Sequence, residues 1–104
     1  MSKLDQTFSA LGDGTRRAIL ARLSQGEITL SEIAAPFEIS QTAVSKHVRI
    51  LADAGLVKVS KRGRSRYCSL QAQPMKEATD WLSQYQRFWH TRFAALAKHL
   101  ESTP

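Results

Sequence analysis

The stretch Thr29-Leu30-Ser31-Glu32-Ile33-Ala34-Ala35-Pro36-Phe37-Glu38-Ile39-Ser40-Gln41-Thr42-Ala43-Val44-Ser45-Lys46-His47-Val48-Arg49 reads as two helices meeting across a short connector. Thr29 followed by Glu32 is a capping box, each side chain satisfying the other's exposed backbone amide. It opens a short helix through Leu30, Ile33 and Ala34, which Pro36 ends by about Ala35 because the residue before a proline is pushed out of helical geometry. Phe37–Ser40 connects, and the Ser40 hydroxyl caps a longer helix predicted over 41–54, with Gly55 as its terminator. Val44, Val48 and Leu51 form that helix's buried stripe. A bracing helix, a four-residue connector and a longer helix make a helix-turn-helix, whose second helix can enter a major groove about 12 Å wide. Subtracting the stripe leaves Gln41, Thr42, Ser45, Lys46 and Arg49 facing outward, with His47 beside them as a further expected DNA contact. Gln can pair with adenine, Lys and Arg with guanine, and Ser or Thr with several base edges or a phosphate.

C-terminal to this unit, Leu56-Val57-Lys58-Val59-Ser60 and Arg66-Tyr67-Cys68-Ser69-Leu70 alternate with period two. Between them Lys61-Arg62-Gly63-Arg64-Ser65 is a glycine-containing turn, so a hairpin is predicted. Its tip carries Lys61, Arg62, Arg64 and Arg66. Residues 46–66 hold seven Lys/Arg against one acid, Asp53, and so carry the whole net charge of +6; the other eight basic and eight acidic residues cancel. Positive charge confined to a helix and its adjoining hairpin is an electrostatic footprint for a polyanion, since phosphate neutralisation releases counterions. A wing of this kind lies along the backbone or enters the minor groove, where negative potential attracts arginine.

N-terminal to the unit, Leu4, Phe8 and Leu11 recur at helical spacing and stop at Gly12-Asp13-Gly14. Asp13 or Thr15 then caps a second helix carrying Ala18, Ile19 and Leu23. At the other end Pro74 begins a long last helix reaching about Leu100, because its missing amide hydrogen costs nothing in the first turn. Trp81, Leu82, Tyr85, Phe88, Trp89, Phe93 and Leu96 make that helix's apolar face broad and aromatic-rich. A chain of 104 residues has limited interior to offer such a face. The expectation is a single domain over 1–104, mainly α with a small β-hairpin wing, in which residues 4–11 and 74–100 are dimerisation helices. A symmetric dimer would bury the surplus and set two recognition helices about 34 Å apart, to read an inverted repeat of double-stranded DNA.

A lone cysteine, Cys68, rules out a disulfide within one chain and suits a reducing cytoplasm. No segment approaches the ~20 apolar residues of a membrane span, and the first residues lack a signal peptide's apolar stretch. Nothing resembles a glycine-rich phosphate loop, a nucleophile elbow or a cluster of metal ligands, so the expectation is no enzyme and no cofactor.

The chain closely resembles the ArsR-type (ArsR/SmtB-like) winged helix-turn-helix repressors of bacteria. The resemblance lies in residues 8–20, in Ile39-Ser40-Gln41-Thr42-Ala43-Val44-Ser45-Lys46-His47-Val48, in Leu51-Ala52-Asp53-Ala54-Gly55-Leu56-Val57 and in Arg62-Gly63-Arg64. It implies a homodimeric transcriptional repressor whose first and last helices form the interface and whose base-reading positions match Gln41, Thr42, Ser45 and Lys46. Gly14 departs from it, standing where the family usually has proline, which implies a looser turn. The metal sites of the family are missing. Thr29 and Ser31 occupy the positions of a Cys-x-Cys pair, and hydroxyls are poor ligands for soft metals. Asp80 is followed two on by Leu82 rather than His, His90 three on by Phe93, and His90 and His99 fall on opposite faces of a helix.

Two other readings stay open. One is a winged-helix module whose aromatic last helix docks a different protein. The other is a redox- or ligand-responsive sensor using Cys68 or a pocket under the last helix.

Overall fold

The computed structural model describes residues 2–102, and the caps expected at Asp13, Thr29 and Ser40 are all formed. The first helix, α1 (Lys3–Leu11), opens on Ser2, whose hydroxyl accepts from the Asp5 amide. Asp13 caps α2 (Gly14–Leu23), its carboxylate accepting the Arg16 amide at 3.1 Å. Thr29 and Glu32 form the capping box of α3 (Leu30–Ala34), the two amides being held at 3.1 and 3.2 Å. Ser40 accepts from the Ala43 amide and starts α4 (Gln41–Asp53). That helix ends in a Schellman turn, with the Gly55 amide on the Ala52 carbonyl and the Leu56 amide on the Leu51 carbonyl, both at 2.9 Å. The turn needs the left-handed φ of 78° at Gly55.

The hairpin is longer and tighter than the sequence suggested. Strands β2 (Val57–Arg62) and β3 (Ser65–Leu70) stay paired from Val57↔Leu70 to Arg62↔Ser65. The expected five-residue turn therefore shrinks to Gly63-Arg64, and Gly63 takes the φ of 61° that the first position of a type II′ turn requires. A further strand, β1 (Ile28–Thr29), was not expected, because two residues are too few to show alternation. It pairs antiparallel with β3, Ile28 opposite Cys68, so the sheet order is β1-β3-β2.

One core joins these elements: Ile19, Leu20 and Leu23 of α2, Ile33 of α3, Val44, Val48 and Leu51 of α4, with Leu56, Val57 and Cys68. The α4 stripe is the one the periodicity gave, and its burial presses α4 against α2, α3 and the sheet with the opposite face outward.

The last helix is where expectation and structure differ. Instead of one helix over 74–100 there are two, α5 (Gln73–Ser83) and α6 (Gln86–Ser102). Neither proline nor glycine causes the break. The Ser83 hydroxyl donates to the Asp80 carbonyl at 2.7 Å and the Gln84 side-chain amide to the Trp81 carbonyl at 2.9 Å. Those carbonyls would otherwise accept the backbone amides four residues on, so the side chains compete with the helix ladder. The Tyr85 amide turns instead to the Leu82 carbonyl, and the Trp89 amide to that of Tyr85 restarts the helix. Packed on α1, α5 buries Ala78, whereas every side chain described in α6 is exposed. The molecule is consequently 65 Å long with a radius of gyration of 18.2 Å, against about 13 Å for a compact chain of this size.

Candidate nucleic-acid interface

The exposed face of α4 and the inner face of the hairpin enclose a cleft of about 650 Å³. From α4 come Gln41, Thr42, Ser45, Lys46 and Arg49, the outward set left by subtracting the buried stripe. From the wing come Arg64 and Arg66. Four cations thus line one concavity together with an amide and several hydroxyls, and no carboxylate joins them. None of the four forms an ion pair or hydrogen bond with another described residue. Such a surface offers donors and positive potential without internal competition, which is what a phosphate backbone and the acceptor-rich edge of a base pair demand.

Strand periodicity sorts the remaining wing residues. Val57, Val59 and Lys61 lie opposite Leu70, Cys68 and Arg66, so these six share one face of the hairpin. Lys61 is therefore on the side of Arg66, although it does not line the cleft. Arg62 belongs to the other face. Its guanidinium pairs with Glu27 at 3.0 Å and sits 4.6 Å from the centre of the Tyr67 ring. Neither partner was visible from sequence spacing, Glu27 being 35 residues away.

His47 is also set apart from its neighbours on α4. It is half-buried, with Nδ1 3.4 Å from an Arg16 guanidinium nitrogen and 3.8 Å from the Asp13 carboxylate. The Arg16 amide donating to that carboxylate, with His47 and Arg16 beside it, holds the Asp13 carboxyl below its usual range. The Thr29 amide and hydroxyl do the same for Glu32.

Sequence reasoning missed Thr29, Leu30 and Ser31, at the start of α3, and Ser65, all of which line the cleft. Thr29 is read from the sequence as a helix cap, and both Thr29 and Ser31 as poor metal ligands, with neither placed at the DNA-facing surface. Their hydroxyls were the available signal, but only the packing of α3 beside α4 brings them to the cleft.

The residues expected at a dimer interface fall into two groups. Leu4, Phe8 and Leu11 of α1 are half-buried, and the Phe8 ring meets Trp81 edge-on at 5.6 Å. Trp81, Tyr85, Phe88, Trp89, Phe93 and Leu96 are exposed, Phe93 by 65%. An aromatic helix bare along its length is the kind of apolar surface that a folded monomer rarely leaves to solvent.

Cys68 lies at the centre of the sheet and is 0% exposed. Burial raises its thiol above the usual range, which favours the neutral form over the reactive thiolate. Among the described residues no group of three or more His, Cys, Asp or Glu is placed to hold a metal ion, and no helix is long and apolar enough to cross a membrane.

A family model described as a helix-turn-helix domain matches residues 11–60. The chain is 33% identical to the transcriptional repressor SdpR of Bacillus subtilis over 79 residues, covering 76% of this chain and 88% of that one. It is 34% identical to the HTH-type transcriptional regulator Rv2034 of Mycobacterium tuberculosis over 98 residues, 94% of this chain and 89% of that one. A crystal structure of an ArsR family transcriptional regulator superposes with a TM-score of 0.79 at 39% identity, covering 86% of this chain and 98% of the other.

Proposed function

Because this chain belongs to the ArsR family of helix-turn-helix transcriptional regulators, we propose that it is a repressor that binds an inverted-repeat operator as a homodimer. The observation that carries the reading is the cleft: four unpaired cations and a row of hydroxyl and amide donors, on an exposed helix flanked by a wing. In this reading Gln41, Thr42, Ser45 and Lys46 contact base edges in the major groove, and Arg49 contacts bases or the adjoining phosphates. Arg64 and Arg66, with Lys61 on the same face, follow the backbone or the neighbouring minor groove. Arg62 stiffens the wing through Glu27, and His47 seats α4 rather than touching DNA. The repressor acts in the cytoplasm, and neither catalysis nor a metal enters the proposal.

Dimerisation is supported by α6, whose large apolar side chains are all exposed. The Phe8–Trp81–Tyr85 aromatic contacts run from α1 across α5 to the turn that precedes α6. A second copy across these helices would place two α4 helices about one DNA turn apart.

Gel-shift titration against the DNA upstream of the protein's own gene, compared with scrambled DNA over a salt series, tests the reading. Tighter binding to the upstream sequence is expected, and equal affinity for both would reject it. Light scattering in parallel should give a dimer. A monomer with weak DNA binding would instead favour α6 as a dock for another protein.

A further inference from the structure

A second cavity, of about 360 Å³, lies beside the cleft between α4 and the sheet. Val48, Ala52 and Leu30 wall it from the helices, and Val59 and Cys68 from the strands. The polar groups in it are Ser45, Arg49 and Arg66. Burial orders these residues. Cys68 and Val48 are buried and mark the inner end, whereas both arginines are exposed and mark the mouth. The volume falls within the ~300–1,000 Å³ of ordinary small-molecule sites, and so does the character of the lining, apolar walls with a few convergent polar groups.

Charge at the mouth narrows the ligand class. Arg49 and Arg66 both line it with no carboxylate among the lining residues, and neither guanidinium has an ion pair or hydrogen bond with a described residue. A guanidinium pairs best with a planar oxyanion, which it can hold through two parallel hydrogen bonds. The walls below carry no polar side chain besides Ser45 and suit a flexible hydrocarbon. We infer that this cavity binds a small monocarboxylate with an apolar tail, of the medium-chain fatty acid class, with its carboxylate on Arg49 and Arg66 and its tail against Val48, Ala52 and Val59.

Occupancy has a consequence for the cleft. Ser45, Arg49 and Arg66 line both cavities, so a carboxylate on the two arginines withdraws them from DNA. Binding of either ligand then weakens the other by the same factor. This coupling rests on the proposed repressor function; the binding site does not.

Isothermal titration of the full chain with octanoate, and with octanamide as its uncharged counterpart, tests the site without DNA. Octanoate should bind saturably, with octanamide about tenfold weaker or worse, as expected for loss of a charge-assisted contact. Val59→Trp and Ala52→Leu, each checked for folding by circular dichroism, should fill the cavity and abolish the heat. Val59 is 40% exposed, so a larger side chain there has room to turn. Equal binding of octanoate and octanamide, octanoate binding that survives both variants, or no binding would overturn the assignment. In gel shifts, octanoate should weaken operator binding by the parent but not by Val59→Trp. Undiminished operator binding at saturating octanoate would overturn the coupling. A protein that binds octanoate but no DNA would reject the repressor reading and leave the cavity assigned.

Discussion

Nδ1 of His47 on α4 lies 3.4 Å from the guanidinium of Arg16 on α2, whose other nitrogens bind the α1 carbonyls of Ala10 at 2.6 Å and Ser9 at 3.1 Å. One side chain thereby ties the end of α1 and the start of α2 to the helix that faces the cleft. Arginine only donates, so this contact is a hydrogen bond in the His47 tautomer whose Nδ1 accepts, whereas a protonated ring would turn Nδ1 toward the Asp13 carboxylate 3.8 Å away. Arg16→Ala should lower stability by about 1–3 kcal/mol in chemical denaturation, the range for losing charge-assisted hydrogen bonds that are partly buried. It should weaken binding to all DNA sequences while leaving the order of preference intact. A changed order of preference would place Arg16 or His47 in contact with bases.

Lys46 and Arg64 should behave differently although both line the same cleft. Lys46→Ala is expected to lose sequence preference, at a cost of ~1–3 kcal/mol for a base contact. Arg64→Ala should weaken all sequences alike and reduce the slope of log affinity against log salt by about one. Gel shifts on operator and scrambled DNA at several salt concentrations read both effects. Identical behaviour of the two variants would remove the division between helix and wing.

Phe93→Asp and Leu96→Asp change side chains that contribute nothing to the core. Both should shift the protein from dimer to monomer in light scattering without loss of helical circular dichroism. Operator affinity should fall by about a hundredfold or more as two linked half-site contacts become one. Retention of the dimer would move the interface elsewhere.

Acid should destabilise the fold through its caps. Asp13 and Glu32 both titrate below the ordinary carboxylate range when folded, each because a backbone amide donates to it. A depressed folded pKa stabilises the protein above the unfolded value and loses that contribution as pH falls through the folded one. Melting temperature should therefore begin to drop as pH falls through about 4–5, the ordinary carboxylate range, and continue below it. In Asp13→Asn/Glu32→Gln the drop should be shallower. An equal slope would show that other groups carry the acid sensitivity.

Cys68 should resist thiol reagents. With its side chain buried and its thiol pushed up by that burial, Ellman's reagent at pH 8 should react only after denaturant is added. Cys68→Ser should destabilise by about 1–3 kcal/mol because it buries a hydroxyl among Ile28 and Val59 with no planned partner. Rapid labelling of the native protein would revive the redox-sensor reading.

Features that depend on a few neighbouring residues were legible in the sequence. The caps at Asp13, Thr29 and Ser40, the terminator Gly55, the buried stripe of α4 and hence its outward face all follow from hydrogen bonds or periodicities spanning four or five positions. The concentration of charge was legible for the same reason, since it is additive along the chain. Tertiary structure decided which charges are available. Arg62 and His47 look equivalent to Arg64 and Lys46 in the sequence, yet the fold commits the first two to Glu27 and Arg16, 35 and 31 residues away. Tertiary packing likewise decided the pairing of β1 with β3 and the arrival of Thr29 and Ser31 at the cleft. A partner brought in from a distant segment leaves no mark on local spacing, because chain entropy and packing select it only when the whole core closes.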